Sequence, residues 1–166
     1  MKKNILITGS TDGLGKIAAI KLAKDGHVVF LHGRNADKLD KVIEEVKEIS
    51  NNENVKGFVA DFSDLAMVKK MAQEVNDSIS SLDVLINNAG IFKSSATLNQ
   101  DGLDMRYAVN YFAPYVLTHA LISLLGKSNS ARIINLRFNT SNIEDTLERL
   151  AKEVLPLFHT NKVKTS

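Results

Sequence analysis

The sequence predicts an α/β protein, a doubly wound parallel sheet of about five strands in the order 3-2-1-4-5, followed by an amphipathic helix. Three observations carry this. Short apolar runs alternate five times with longer segments along the chain. The runs have no polar face, as suits strands of a parallel sheet, which bury both faces. A glycine-rich turn, "TGSTDGLG" at 8–15, joins the first run to the first helical segment.

The elements follow in order. Residues 3–8 ("KNILIT") form the first strand, and a helix runs from about Gly13 to Lys24. "HVVFLH" (27–32) is the second strand. Residues 35–50 place Leu39, Val42, Ile43, Val46 and Ile49 on one helical face. "VKGFVA" (55–60) is the third strand. Residues 63–79 carry Leu65, Val68, Ala72, Val75 and Ile79 at helical spacing, with Ser63 as the expected N-cap. "LDVLIN" (82–87) and "ARIINL" (131–136) are the fourth and fifth strands, and one long helix is expected between them, from about Asp101 to Leu125. Pro114 falls inside it, where proline normally costs ~3 kcal/mol and bends a helix. A bend near Asn110 accommodates it. This helix is apolar nearly all round, so burial on more than one side is expected, with oligomerisation as one means.

Composition narrows the functions. With 166 residues the chain suffices for a domain with a real core, and 44% hydrophobic with 24% charged residues is ordinary for a globular protein. A net charge of +2 without a long basic run argues against a nucleic-acid partner. There is no Cys, and the four His residues are scattered, so no metal site is expected. No apolar run approaches the ~18 residues of a membrane span, and the apolar stretch in "MKKNILITGS" is too short for a signal segment. No membrane partner and a cytoplasmic location are the expectations.

The glycine turn has the context a phosphate loop needs, between a strand and the helix it opens. A helix N-terminus offers unpaired N–H groups and the positive end of a dipole, which suit a pyrophosphate. Gly9 and Gly13 let the backbone turn and approach the phosphates, and Gly15 lets the helix pack close to the strand. A ligand-free strand-to-helix turn is the plainer alternative. Its place at the sheet's expected switch point favours a dinucleotide and a Rossmann-like domain. At the end of strand two an NAD site usually places an acid for the ribose hydroxyl. Here "LHGRN" has Arg34 and no acid before Asp37. A guanidinium fork suits a phosphate, so NADP(H) fits better than NAD, although Arg34 as a solvated loop residue is the alternative.

The spacing Gly9-x3-Gly13-x-Gly15 together with "NNAG" at 87–90 resembles the short-chain dehydrogenase/reductase family, in particular its retinol-dehydrogenase-like and NADP-preferring members. "HGR", "ADFSDL" (60–65), "GLDMRYAVNYFAPYVLTHALI" (102–122) and "ARIINL" follow in the family's order. The resemblance covers residues 3–136. It implies hydride transfer between a nicotinamide and a carbonyl or alcohol carbon. It also implies that Gly9, Ser10, Thr11, Gly13, Leu14 and Gly15 surround the cofactor phosphates and that Asp61 and Phe62 adjoin the adenine. Arg34 would meet the ribose phosphate, Asn88, Ala89 and Gly90 would line the cleft, and Asn110 would be the catalytic Asn. A dimer through the long helix is a further implication. On the residues alone, Asp61 caps a turn and the "NNAG" amides brace neighbouring strand ends.

The resemblance stops after Leu136. The family pairs a Ser after strand five with a Tyr-x3-Lys, because when an alcohol carbon loses hydride its oxygen must lose a proton to a tuned group within hydrogen-bond reach. Here Arg137 and Phe138 follow strand five, with Thr140 and Ser141 out of register. The three tyrosines, Tyr107, Tyr111 and Tyr115, are each followed four residues on by Tyr111, Tyr115 and His119. Ser141-x-x-Glu144 is a capping box, and Ile143, Leu147, Leu150, Val154 and Leu157 recur at helical spacing. That helix would cover the edge of strand five or pair with another subunit. The organisation expected is therefore a dinucleotide-binding domain, 1–136, and a helical tail, 137–166. The functional expectation is an NADP(H)-binding oxidoreductase with impaired proton transfer. The alternatives are a non-catalytic dinucleotide-binding or assembly module, or a shortened form of a longer enzyme.

Overall fold

Strand β1 (Asn4–Ile7) lies at the centre of a five-stranded sheet in the computed structural model, which describes residues 1–136. Its neighbours are β2 (Val28–Gly33) and β4 (Val84–Asn87). Beyond β2 lies β3 (Val55–Val59), and beyond β4 lies β5 (Arg132–Asn135). Every pair is parallel, and the order is β3-β2-β1-β4-β5, as the sequence predicts. Ile5 stands beside Val29 and Val84, and Val84 beside Arg132. Ile5, Leu6, Ile7, Val84 and Leu85 are fully buried, which is why these runs lack a polar face.

Helix α1 (Gly13–Lys24) is N-capped by Asp12, whose side chain accepts from the Gly13 amide. Helix α2 (Ala36–Ser50) is capped by Asn35, whose Oδ1 accepts from Lys38 N at 2.8 Å, and it ends on Asn51 in a left-handed conformation. Its predicted face holds at Leu39, Val42 and Val46, while Ile49 in the last turn is exposed. Helix α3 (Leu65–Ser78) buries Val68, Met71, Ala72 and Val75. Its cap is Asp64, not the expected Ser63. Asp64 Oδ1 accepts from Ala66 N and Met67 N, whereas the Ser63 hydroxyl donates to Asp61 Oδ1 in the preceding turn.

The single helix expected over 101–125 is broken. Asp104 caps a short α4 (Met105–Tyr107), and a π-helical turn covers Ala108–Phe112. Then come α5 (Ala113–Ala120) and α6 (Ile122–Leu125). The physical reason is Pro114, which cannot donate to the carbonyl of Asn110 four residues back. The chain widens instead, and the Ala113 amide bonds back to Ala108 O. Burial is also one-sided: Val109, Ala113, Leu117, Leu121 and Leu124 face the core, while Tyr107, Tyr111, Phe112, Tyr115 and Ile122 are exposed. The expectation of burial on several sides fails within one chain, because only one flank of this broken helix meets α3 and the sheet.

Helices α3 and α5 cover the sheet face that carries Leu6, Phe30, Phe58 and Leu85. Helices α1 and α2 pack together and reach β2, and α2 also reaches β3. Each fully buried Leu or Ile contributes about 1.5–3 kcal/mol of burial free energy. No helix among the described residues is long and apolar enough to cross a membrane, and none of their His, Asp and Glu residues cluster as a metal site. The amphipathic helix expected near 141–158 and the tail 137–166 lie outside the described residues.

Candidate active site: a glycine cleft at the sheet's switch point

The order of the sheet reverses at β1, so the crevice at the C-terminal ends of β1 and β4 is where an open α/β sheet takes its ligands. The glycine turn lies there. Gly9 has φ +61°, and a Cβ on it would stand 2.7 Å from Ala89 Cα. Gly13 has φ +51° and open space where a side chain would project. A Cβ on Gly15 would stand 2.5 Å from both Gly9 O and Asn88 Nδ2. The three glycines thus have distinct tasks: turning, leaving room, and letting α1 press against the loop.

Thr8 and Asn88 fasten the loop to β4. The Thr8 hydroxyl accepts from Asn88 N at 3.0 Å and from Ala89 N at 2.9 Å, and donates to Ile86 O at 3.3 Å. Asn88 Nδ2 donates to Thr8 O at 2.8 Å and to Gly9 O at 2.9 Å. Both residues are buried. Asn88 Oδ1 is buried with no protein partner. The expected bracing by "NNAG" is therefore real. Asn88 braces the loop, and Asn87 Nδ2 donates to Thr118 Oγ1 and Asn135 Oδ1, joining β4 to β5 and α5. Ala89 is half-buried and Gly90 exposed at the cleft's mouth.

The β2 side of the cleft rests on His32, one of the four scattered histidines. Its Nδ1 accepts from Gly9 N at 3.0 Å, and its Nε2 lies 3.0 Å from Ala60 O. Because a carbonyl can only accept, the proton sits on Nε2 and the ring is neutral. His32 O accepts from Ser10 N, and His32 N donates to Ser10 Oγ, which donates to Ile7 O. The ring stacks on Phe62 with centroids 4.2 Å apart. Its signal in the sequence was a polar residue closing an otherwise apolar strand just before "GR".

Burial pushes the His32 pKa down to about 4, against smaller opposing effects of the Ala60 carbonyl and Asp61. The unfolded chain therefore takes up a proton near pH 6.5 that the folded chain refuses until about pH 4. The stability this gives is complete above pH 6.5 and falls as pH drops toward 4, by about 3 kcal/mol in all. Urea unfolding of wild type and His32→Asn between pH 7 and 4.5 measures it: the wild type loses more stability than the variant. A constant difference between them across that range contradicts the assignment.

The remaining residues lie around this frame. Thr11 lies against Gly33, where an added Cβ would come within 2.5 Å of Thr11 Cγ2. Arg34 follows, exposed at the end of β2. Ser10 is buried and Leu14 half-buried in the first turn of α1. Asp12 sits beside the loop with its charge answered by Lys38, Nζ to Oδ2 2.9 Å. That ammonium, with the Gly13 amide, holds the Asp12 carboxyl below the usual carboxylate range. Asp61 Oδ1 accepts from Ser63 N and Oγ, so it does cap a turn. It also borders an open cleft of about 300 Å³ lined by Met67, Leu98 and Met105.

Asn110, the expected catalytic Asn, lies in the π-helical turn. Its Oδ1 accepts from Ile91 N at 2.8 Å, and its Nδ2 donates to Ile91 O at 2.9 Å. Both ends of the amide are thus engaged in holding the segment after "NNAG", and an amide does not titrate. The structure gives the Asn110 side chain a positioning contact with the Ile91 backbone. The tyrosines stand on the exposed side of the same helical region.

The arrangement fits a dinucleotide. It offers a positive-φ glycine turn, a Cβ-free approach at Gly13, a helix N-terminus and a buried, unpartnered Asn88 oxygen. Comparison with known proteins agrees with this geometry. The model of the short chain dehydrogenase family matches residues 3–144. Retinol dehydrogenase 13 of Mus musculus is 31% identical over 134 residues, 81% of this chain and 40% of that protein. Retinol dehydrogenase 11 of Homo sapiens is 33% identical over 134 residues, 81% of this chain and 42% of that one. The chain thus spans about two fifths of the length of these relatives. A solved short chain dehydrogenase from Escherichia coli CFT073, complexed with NADPH, aligns with a TM-score of 0.68 at 30% identity, over 79% of this chain and 56% of that one. From the sheet order, the glycine cleft and these matches together, the chain belongs to the short chain dehydrogenase family.

Proposed function

We propose that residues 1–136 form an NADP(H)-binding domain of an oxidoreductase that moves hydride to or from a carbonyl or alcohol carbon. The observation that carries the reading is the glycine turn fastened by Thr8, Asn88 and His32 at the switch point. When bound, the nicotinamide supplies or accepts the hydride. This chain's own residues do the holding. The α1 N-terminus and Gly13 receive the pyrophosphate, Asp61 and Phe62 border the adenine side, and Arg34 answers the ribose phosphate. Arg34 at the end of β2, with no acid beside it, favours NADP over NAD. Replacing Arg34 with alanine is expected to weaken NADPH binding by about tenfold or more while leaving NADH unchanged, since a charge-assisted hydrogen bond contributes about 1.5–3 kcal/mol. Calorimetric titration of both nucleotides checks it. Equal losses for both would remove the NADP preference.

No Tyr-x3-Lys occurs in the 166 residues, and the Asn110 side chain is engaged with the Ile91 backbone. We infer that this chain by itself turns over carbonyl substrates poorly. A second reading, a non-catalytic binding or assembly module, is favoured by one observation, the exposed Tyr107, Tyr111, Phe112, Tyr115 and Ile122. A second copy of the chain is the partner proposed for that face. Sedimentation of the wild type is expected to give an oligomer that Tyr111→Asp shifts toward monomer, and a monomeric wild type would argue against it.

A further inference from the structure

Three chain segments converge on the cleft, and they come from three strands. The phosphate turn follows β1, Gly33 and Arg34 end β2, and Asp61 and Phe62 follow β3. Backbone pairing carries just past the strand ends, with Ser10 N donating to His32 O and Ala60 N to Gly33 O, and one imidazole adds a side-chain link between the same segments. His32 Nδ1 takes the Gly9 amide, Nε2–H reaches Ala60 O, and the ring lies on Phe62. With only 3% of its surface exposed, the ring has little room to tilt. The Gly9 bond matters most. At φ +61° Gly9 turns the loop; the peptide that carries its amide is held at the Thr8 carbonyl by Asn88 Nδ2 and at the Gly9 N–H by His32 Nδ1.

We propose that His32 is a positioning residue of the dinucleotide cleft, its Nδ1 holding the Gly9 amide so that the phosphate turn stands at a fixed distance from the adenine side. The proposal rests on the NADP(H) reading above. The contact is made to Gly9 of the phosphate turn, whose pyrophosphate NAD and NADP share, and not to Arg34. His32 therefore sets affinity for both nucleotides alike, in contrast to Arg34.

Three substitutions separate positioning from mere support. In His32→Asn the side-chain oxygen can take the place of Nδ1 and keep the Gly9 bond. In His32→Gln the amide reaches toward the Nε2 position and keeps the Ala60 bond instead. His32→Leu removes both. Each variant is titrated calorimetrically with NADPH and with NADH, and its folding is checked by urea unfolding. His32→Asn is expected to bind within about threefold of wild type, and His32→Gln and His32→Leu about tenfold more weakly for both nucleotides. Folded Gln or Leu variants that bind like wild type overturn the proposal. So does an Asn variant as weak as Leu, a loss confined to NADPH, or failure of all three to fold. If Leu alone fails to fold, the comparison of Asn with Gln decides. A folded wild type that binds neither nucleotide overturns the NADP(H) reading itself, whatever the variants do.

Discussion

Gly15→Ala should destabilise the protein and abolish tight nucleotide binding, although alanine is the better helix former. On an exposed helix the exchange would gain up to about 1 kcal/mol. Here the added methyl would lie 2.5 Å from Gly9 O and from Asn88 Nδ2, and 2.9 Å from Ser10 Cα. Two of those three atoms are backbone and cannot rotate away. Overpacking of this kind costs about 1–3 kcal/mol, and relief requires the phosphate turn to move. A net loss of about 2 kcal/mol in urea unfolding and at least about a tenfold loss in NADPH affinity are the expected results. Gly13→Ala is the control. The space there is open, and the cost is about 1–2 kcal/mol for placing a side chain at positive φ. A Gly15→Ala protein as stable as wild type would show that α1 does not press on the loop as described.

Asn88→Ala should have the second large effect. The side chain satisfies Thr8 O and Gly9 O at the junction of β1 and β4, the first buried and the second part-buried. Removing it takes this donor from the buried Thr8 carbonyl and the part-buried Gly9 carbonyl, at up to about 1–3 kcal/mol each. The expected loss is about 2–5 kcal/mol in urea unfolding, with weaker nucleotide binding in whatever remains folded. Asn88→Asp should do no better, because a carboxylate cannot donate to either carbonyl. A loss below about 0.5 kcal/mol would mean that water replaces the amide without cost.

Much of this was legible in the sequence, and the parts that were not have physical reasons. The parallel sheet was legible in five apolar runs, because a central parallel strand buried on both faces has no other pattern available, while the edge strands β3 and β5 keep exposed positions. Gly9, Gly13 and Gly15 were legible because positive φ and missing Cβ atoms leave few substitutes. Thr8 was not singled out, since a hydroxyl that accepts two amides across 80 residues of chain has no local signature. His32 escaped for a related reason, as its partners Gly9 and Ala60 lie on the loops after two other strands. The break at Ala108–Phe112 was half visible. Pro114 announced a bend, but apolar spacing cannot distinguish a π-helical turn from α-helix. Exposure of Tyr107, Tyr111 and Tyr115 was hidden because periodicity reports which residues are apolar and not whether a neighbour covers them. Ser63 and Asp64 are adjacent cap-forming residues, and only the turn at Asp61 decides between them.

The central claim is that the glycine cleft holds a dinucleotide, and calorimetric titration of the folded wild-type chain with NADPH tests it most directly. Saturable binding with a stoichiometry of one per chain, tighter than for NADH, is the predicted result. A cooperatively folded protein that takes up neither nucleotide would contradict it.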